Sequence, residues 1–245
     1  WDEKPFDQHW RVAYRSYVPI EEERTLTGAL YPPGIAHVDN VNSLCTRNEE
    51  DLLSITGSFI SLPIDGYIKF FGKGRLHSSV IENLPLISYG LAKEEVIIRV
   101  LLLNCLNSSY STIWDRNISK LNRSTFYSTN QKYFTILSPK WNRSVPLRSD
   151  LMRRQALLEL DVLTALAMGF DLRDLLTLYR LYFRVLRENE ANTWYDQKGR
   201  IVFTTNKGLS GVGLPRKKQV KDAAKGITYR LNGYAVNTKG LGFED

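Results

Sequence analysis

Apolar positions recur at helical spacing from residue 48 to residue 87, and the chain on either side is strand-like before this stretch and helical after it. Leu52, Ile55, Phe59 and Ile60 make one apolar face, which Ile64, Tyr67, Ile68 and Phe71 extend. Asn48 ahead of the run predicts an N-cap, because its side-chain oxygen can accept from an otherwise unpaired backbone N–H. Glu49, Glu50 and Asp51 fill the first turn, where the positive end of the helix dipole favours carboxylates. Pro63 lacks an N–H and clashes with the preceding turn, so a kink or a fresh helix start is expected there. Gly72 and Gly74 end the second helix.

Residues 1–47 read as β-rich, with aromatic and β-branched runs around Trp10–Ile20 and Arg24–Gly34 separated by the acidic turn Glu21–Glu23. Asn40, Asn42 and Ser43 read as an irregular loop. After the central stretch, Glu94–Leu106 predicts an apolar helix. Tyr110–Ser144 is rich in Ser, Thr, Asn, Tyr and Trp with cations among them, a mixture suited to stacking on bases and gripping phosphates. Its Trp114 and Trp141 equally suit anchors of a small core. Leu157, Leu160, Leu163, Leu166 and Ala167 then repeat at helix spacing until Gly169, and Asp171 caps a second helix carrying Leu172, Leu175, Leu178 and Tyr179. Thr193–Thr205 and Tyr229–Val236 read as β-hairpins, the latter around an Asn-Gly turn. The expected fold class is α+β: a mixed domain over 1–145, then 146–245 as a helical hairpin with C-terminal β-hairpins and a basic tail. These strands and the tail are expected to pack back on the first domain.

Composition narrows the class. The 245 residues, 43% hydrophobic and 24% charged, suit a soluble globular protein with a sizeable core. No apolar run approaches the roughly 18 residues of a membrane span, and the polar, acidic start is no signal peptide. Cys45 and Cys105 are too few for a disulfide framework or a cysteine zinc site and fit reduced thiols in a cytoplasmic protein. The chain begins at Trp1 and its two methionines are Met152 and Met168, so a fragment from the C-terminal part of a longer protein is expected.

The formal net charge of +7 is unevenly spread. Residues 1–61 hold five cations and ten anions, whereas 111–158 hold nine cations against Asp115 and Asp150. Residues 196–245 hold ten cations and four anions. Such asymmetry points to a polyanion partner, of which nucleic acid is the commonest, or else to a solvated basic surface. Lys69, Lys73 and Arg75 gather where the second helix meets its glycine loop, a place that could hold a phosphate backbone or merely complement the helix dipole.

Catalytic chemistry is not visible. His9, His37 and His77 lack metal spacing, and no nucleophile signature is present. Asp196-x-Lys198 has the form of a nuclease pair but lies in a turn without a partner acid. The run Gly208–Lys218 has glycines and then cations, yet no strand and helix flank it as a phosphate loop requires.

Four pieces, in order, resemble one family. Arg24–His37, Leu52–Ile87, the helical pair over 151–187 and GRIVFT with KGLSGVGLPRK near the C-terminus are similar to the target-recognition region of large adenine-specific DNA methyltransferases. The type IIG and TaqI-like restriction–modification and phage-defence enzymes of bacteria form this group. Arg184 stands where the family has a proline. The resemblance implies that the parent protein transfers a methyl group from S-adenosylmethionine to adenine N6. The family's Phe-x-Gly-x-Gly and Asn-Pro-Pro-Tyr motifs are missing from this chain, and Tyr31-Pro-Pro-Gly is read as a turn. The fragment is therefore expected to bind no cofactor and to select DNA, helping the target base to be flipped. Double-stranded DNA is the expected partner, along with other restriction or defence subunits. A protein–protein module of such a complex is the rival reading.

The expected DNA-facing residues are Lys69, Lys73, Arg75, His77, Arg116, Lys120, Arg123, Lys140, Arg143, Arg148, Arg216, Lys217 and Lys218. Arg75, whose planar fork can pair with guanine, is the expected base reader. Lys69 and Lys73 are expected to meet phosphates.

Overall fold

The structure, a computed structural model, describes residues 3–19, 21–72, 74–121, 137–196, 198–203, 229–231 and 234–239. It has an α+β fold in which a small antiparallel sheet and a bundle of helices share one core. Strands β1 (Arg11–Arg15), β2 (Gly28–Tyr31) and β3 (Val41–Leu44) form the sheet in the order β2-β1-β3. Val12 faces Leu30 on one side and Leu44 on the other, so β1 is the central strand. It is buried over Arg11–Tyr14, as a strand covered on both edges should be.

The helices begin where the sequence sets them. Helix α1 (Glu49–Phe59) starts from Asn48, whose side chain accepts from the Asp51 N–H at 2.7 Å. Helix α2 (Leu62–Phe71) restarts with Pro63 in its first turn, where a missing N–H costs nothing. Gly72 ends α2 in the left-handed conformation at φ 63°, which a side chain would resist. Helix α4 (Lys93–Asn104) follows the short α3 (Ser78–Glu82) and lies against α1. Gly57 permits that contact: a Cβ there would stand 2.5 Å from Val96 Cγ1.

Helix α5 (Ser111–Ile118) is followed, after an interval, by α6 (Asp150–Ala167), α7 (Leu172–Tyr182) and α8 (Arg184–Ala191). Asp171 opens α7 with a reciprocal capping box to Asp174. The main core joins Val12, Leu30, Leu53, Ile98, Leu101 and Trp114 with Ala156 and Leu160 of α6. A second cluster of Leu62, Ala165, Leu175, Tyr179 and Phe183 seats α7 and α8 on α2. The backbone strands β4 (Trp194–Asp196), β5 (Ile201–Phe203), β6 (Tyr229–Leu231) and β7 (Tyr234–Lys239) form a second sheet ordered β5-β4-β7-β6. It meets the start of α6 through the Ile201 N–H on Asp150 and the Leu151 N–H on Gly199. The basic run Arg216–Lys218 lies outside the described residues.

One local expectation changes, and two segments without an expected element gain one. Val41–Leu44, expected as part of a loop, forms an edge strand, because pairing with β1 outweighs the weak strand preference of Asn42 and Ser43. Asn42 also donates to the Leu76 carbonyl at 3.1 Å. The segment after Gly74 contains the short helix α3. Within Tyr110–Ser144, residues 111–118 form α5, and Trp114 is buried with its indole N–H on the Ser138 carbonyl at 3.0 Å.

Candidate nucleic-acid interface

Helix α5 buries Ile113, Trp114, Asn117 and Ile118, and this anchoring leaves the opposite side to solvent. Arg116 projects from that exposed side, and Lys120 is exposed in the turn that follows the helix. The segment 138–148 crosses next to α5 and is pinned by polar contacts. Asp115 accepts the Trp141 N–H at 2.7 Å and the Lys140 ammonium at 3.1 Å. The Trp141 indole donates to the Cys105 carbonyl at 2.8 Å. Arg148 donates to the carbonyls of Arg143 and Leu106, which fixes the backbone while Arg143 itself reaches into solvent. Lys140 remains 81% exposed despite its ion pair. Arg116, Lys120, Lys140, Arg143 and Arg148 thus share one well-anchored part of the surface.

A cleft of about 270 Å3 opens beside Arg116. Lys4, His9 and Trp10 line it from the N-terminal segment, and Arg47 and Glu49 from the entry to α1. Glu49 takes the Arg116 guanidinium at 2.6 Å and the Asn117 amide at 2.9 Å. The cations Lys4 and Arg47 gave no signal in the sequence, since residues 1–61 are acidic as a whole.

Arg75 and His77 are exposed at a different place. Arg75 pairs by its backbone with Tyr17, the Leu76 N–H reaching the Ser16 carbonyl at 2.7 Å. Tyr17 is 54% exposed beside it. Val12 pairs with Leu44 and Arg15 with Val41, so Arg47 and Glu49 follow from one end of β1 while Arg75 lies past the other. The structure does not bring Arg75 together with the α5 cations.

Lys69, expected to meet phosphates, is corrected by the structure, which buries it. It is only 5% exposed, its ammonium donates to the Glu22 carbonyl at 2.9 Å, and it lies over the Phe183 ring. Burial pulls its pKa below the usual lysine value, partly offset by Asp65. The helical period explains this, because Asp65 and Lys69 share the α2 face that packs toward Thr25 and Phe183. Lys73, Arg123, Arg216, Lys217 and Lys218 lie outside the described residues.

Lys69 belongs to a network of buried charges between α2, α6, α7 and α8. Arg24 pairs with Asp161, Arg154 with Glu190, and the Tyr179 hydroxyl donates to Glu190. Asp65 accepts the N–H groups of Thr25 and Leu26 at 3.0 and 2.7 Å. These carboxylates are consumed by internal partners, which suits a structural clamp. Among the described residues, no three of His, Cys, Asp and Glu gather in a way that could hold a metal ion. Nor is any helix among them long and apolar enough to cross a membrane. Compared with protein-family models, curated proteins and solved structures, the chain matches none of them.

Proposed function

We propose that this chain is a sequence-specific DNA-recognition module, working with an adenine-N6 methyltransferase that uses S-adenosylmethionine. The observation that carries the reading is the anchored, solvent-facing set of Arg116, Lys120, Lys140, Arg143 and Arg148 around α5. Cations held on a rigid backbone and left in water suit duplex phosphates, whose contacts fix position along the helix. The four-piece resemblance in the sequence supplies the methyltransferase part of the reading. Arg75, exposed on a backbone-paired segment, remains the base-reading residue of the proposal.

The test is duplex binding by the Lys120→Ala/Lys140→Ala/Arg143→Ala variant at several salt concentrations. Loss of about three phosphate contacts lowers the slope of log affinity against log salt by nearly three units. An unchanged slope in a folded variant removes α5 from the interface.

A second reading, a protein–protein module of a restriction or defence complex, draws on a separate surface. Phe70 and Phe71 are 67% and 51% exposed at the end of α2, in ring contact with each other and, through Phe70, with Tyr182. Exposed aromatic clusters are commoner at interfaces than on free surfaces. Binding that persists at high salt and disappears in Phe70→Ser would favour this reading.

A further inference from the structure

The cleft beside Arg116 differs in kind from the basic surface it adjoins. A duplex presents its phosphates on a convex face, which open cations such as Lys140 can meet. The cations of the cleft are instead arranged around a concavity of about 270 Å3. That is slightly below the usual range for small-molecule sites, about 300–1,000 Å3, and far too confined for a double helix with its groove about 12 Å wide. One nucleotide unit is the scale it suits.

The lining has the two chemistries that such a unit needs. Lys4, Arg47 and Arg116 supply positive charge against the single carboxylate of Glu49. Glu49 is itself held by Arg116 and Asn117, so it steers Arg116 toward the cleft wall. Trp10 supplies an aromatic wall. Its ring packs 5.8 Å from that of Tyr110, whose hydroxyl donates to the Leu30 carbonyl at 2.9 Å. The indole is therefore braced against the sheet instead of swinging in solvent. A base can stack on a fixed aromatic plane without paying the entropy of ordering it.

We propose that this cleft is a nucleotide pocket that takes a phosphate and its base from an unpaired DNA strand. Arg47 and Arg116 meet the phosphate, and Trp10 receives the base. The pocket rests on the DNA-binding reading of the adjoining surface, shares Arg116 with it and assigns a distinct role to Arg47 and Trp10, which lie outside it.

The test uses the 245-residue chain and measures binding of a labelled short oligothymidylate and of a duplex of equal length. Arg47 is exposed, so Arg47→Ala should fold as the parent does. It is expected to lower affinity for the single strand about tenfold and duplex affinity less than twofold. Trp10→Leu is expected to cost about tenfold on the single strand, the loss of one stacked base. Equal losses on both DNAs, or none on the single strand in folded Arg47→Ala, overturn the pocket while leaving duplex recognition standing. A parent chain that binds neither DNA overturns both readings. Displacement of the strand by equimolar thymidine 5′-monophosphate would mark a free-nucleotide site and overturn the assignment to a strand.

Discussion

Arg24 grips Asp161 with two guanidinium nitrogens, at 2.8 and 3.3 Å, although 137 residues separate them in the chain. Asp161 is fully buried in α6 and also accepts the Leu62 N–H that opens α2. The pair therefore joins the segment before β2 to two helices at once. Removing one partner of a buried pair leaves an uncompensated charge, at a cost of about 3–5 kcal/mol. Asp161→Ala is expected to lose that much in urea unfolding, whereas a loss below about 1 kcal/mol would show that water reaches Arg24 instead.

Lys69 is expected to act on stability and not on DNA. Lys69→Ala deprives the Glu22 carbonyl of its donor and uncovers Phe183, a change worth about 1–3 kcal/mol. Its salt slope for duplex binding should equal that of the parent. A slope lower by about one unit would return Lys69 to the phosphate contacts.

Close approach of α1 and α4 at Gly57 makes a sharp steric prediction. The Cβ of Gly57→Ala would lie 2.5 Å from Val96 Cγ1 and 3.3 Å from Val100 Cγ2. Overpacking of this kind costs about 1–3 kcal/mol, more than the gain in helix propensity returns. Thermal melting below that of the parent is the expected result. Val96→Ala in the same chain should relieve the clash.

Glu190 should make stability depend on pH in a definite direction. Burial raises its pKa above the ordinary value of 4.5, against the opposing pull of Arg154, the Tyr179 hydrogen bond and Arg24, with Asp161 adding a further upward push. A raised carboxyl favours the protonated folded state, so its contribution is fully present below pH 4.5 and is lost as pH rises through the folded value. Glu190→Gln mimics the protonated acid. Its stability relative to the parent should be flat below pH 4.5 and should rise above it. A gap that narrows with rising pH would reverse the sign.

The two cysteines should differ in reactivity. Cys105 is buried, and burial pushes its thiol pKa up, whereas Cys45 is only half-buried. A thiol held away from water as the neutral acid reacts slowly. Ellman's reagent should titrate one thiol in the native chain and both after denaturation. Two fast thiols without denaturant would mean that the α4 end opens readily.

The sequence by itself determined the local punctuation of this fold. Asn48 and Asp171 cap, Pro63 restarts a helix and Gly72 stops one, and each acts within a single turn of its own backbone. The hairpin pairing of β4 with β5 and of β6 with β7 was legible for the same reason. Which charges stay in water was decided only by tertiary structure. Lys69 and Arg75 are six residues apart and equally cationic, yet Phe183 and Glu22 cover one while the other remains exposed beside Tyr17. The strand Val41–Leu44 exists because β1 offers it partners, not because of its own residues. The cleft of Lys4, Arg47 and Arg116 likewise has no sequence signature, since it forms where three distant segments meet. Capping and chain reversal depend on neighbours along the backbone, whereas burial depends on whatever the rest of the chain brings into contact.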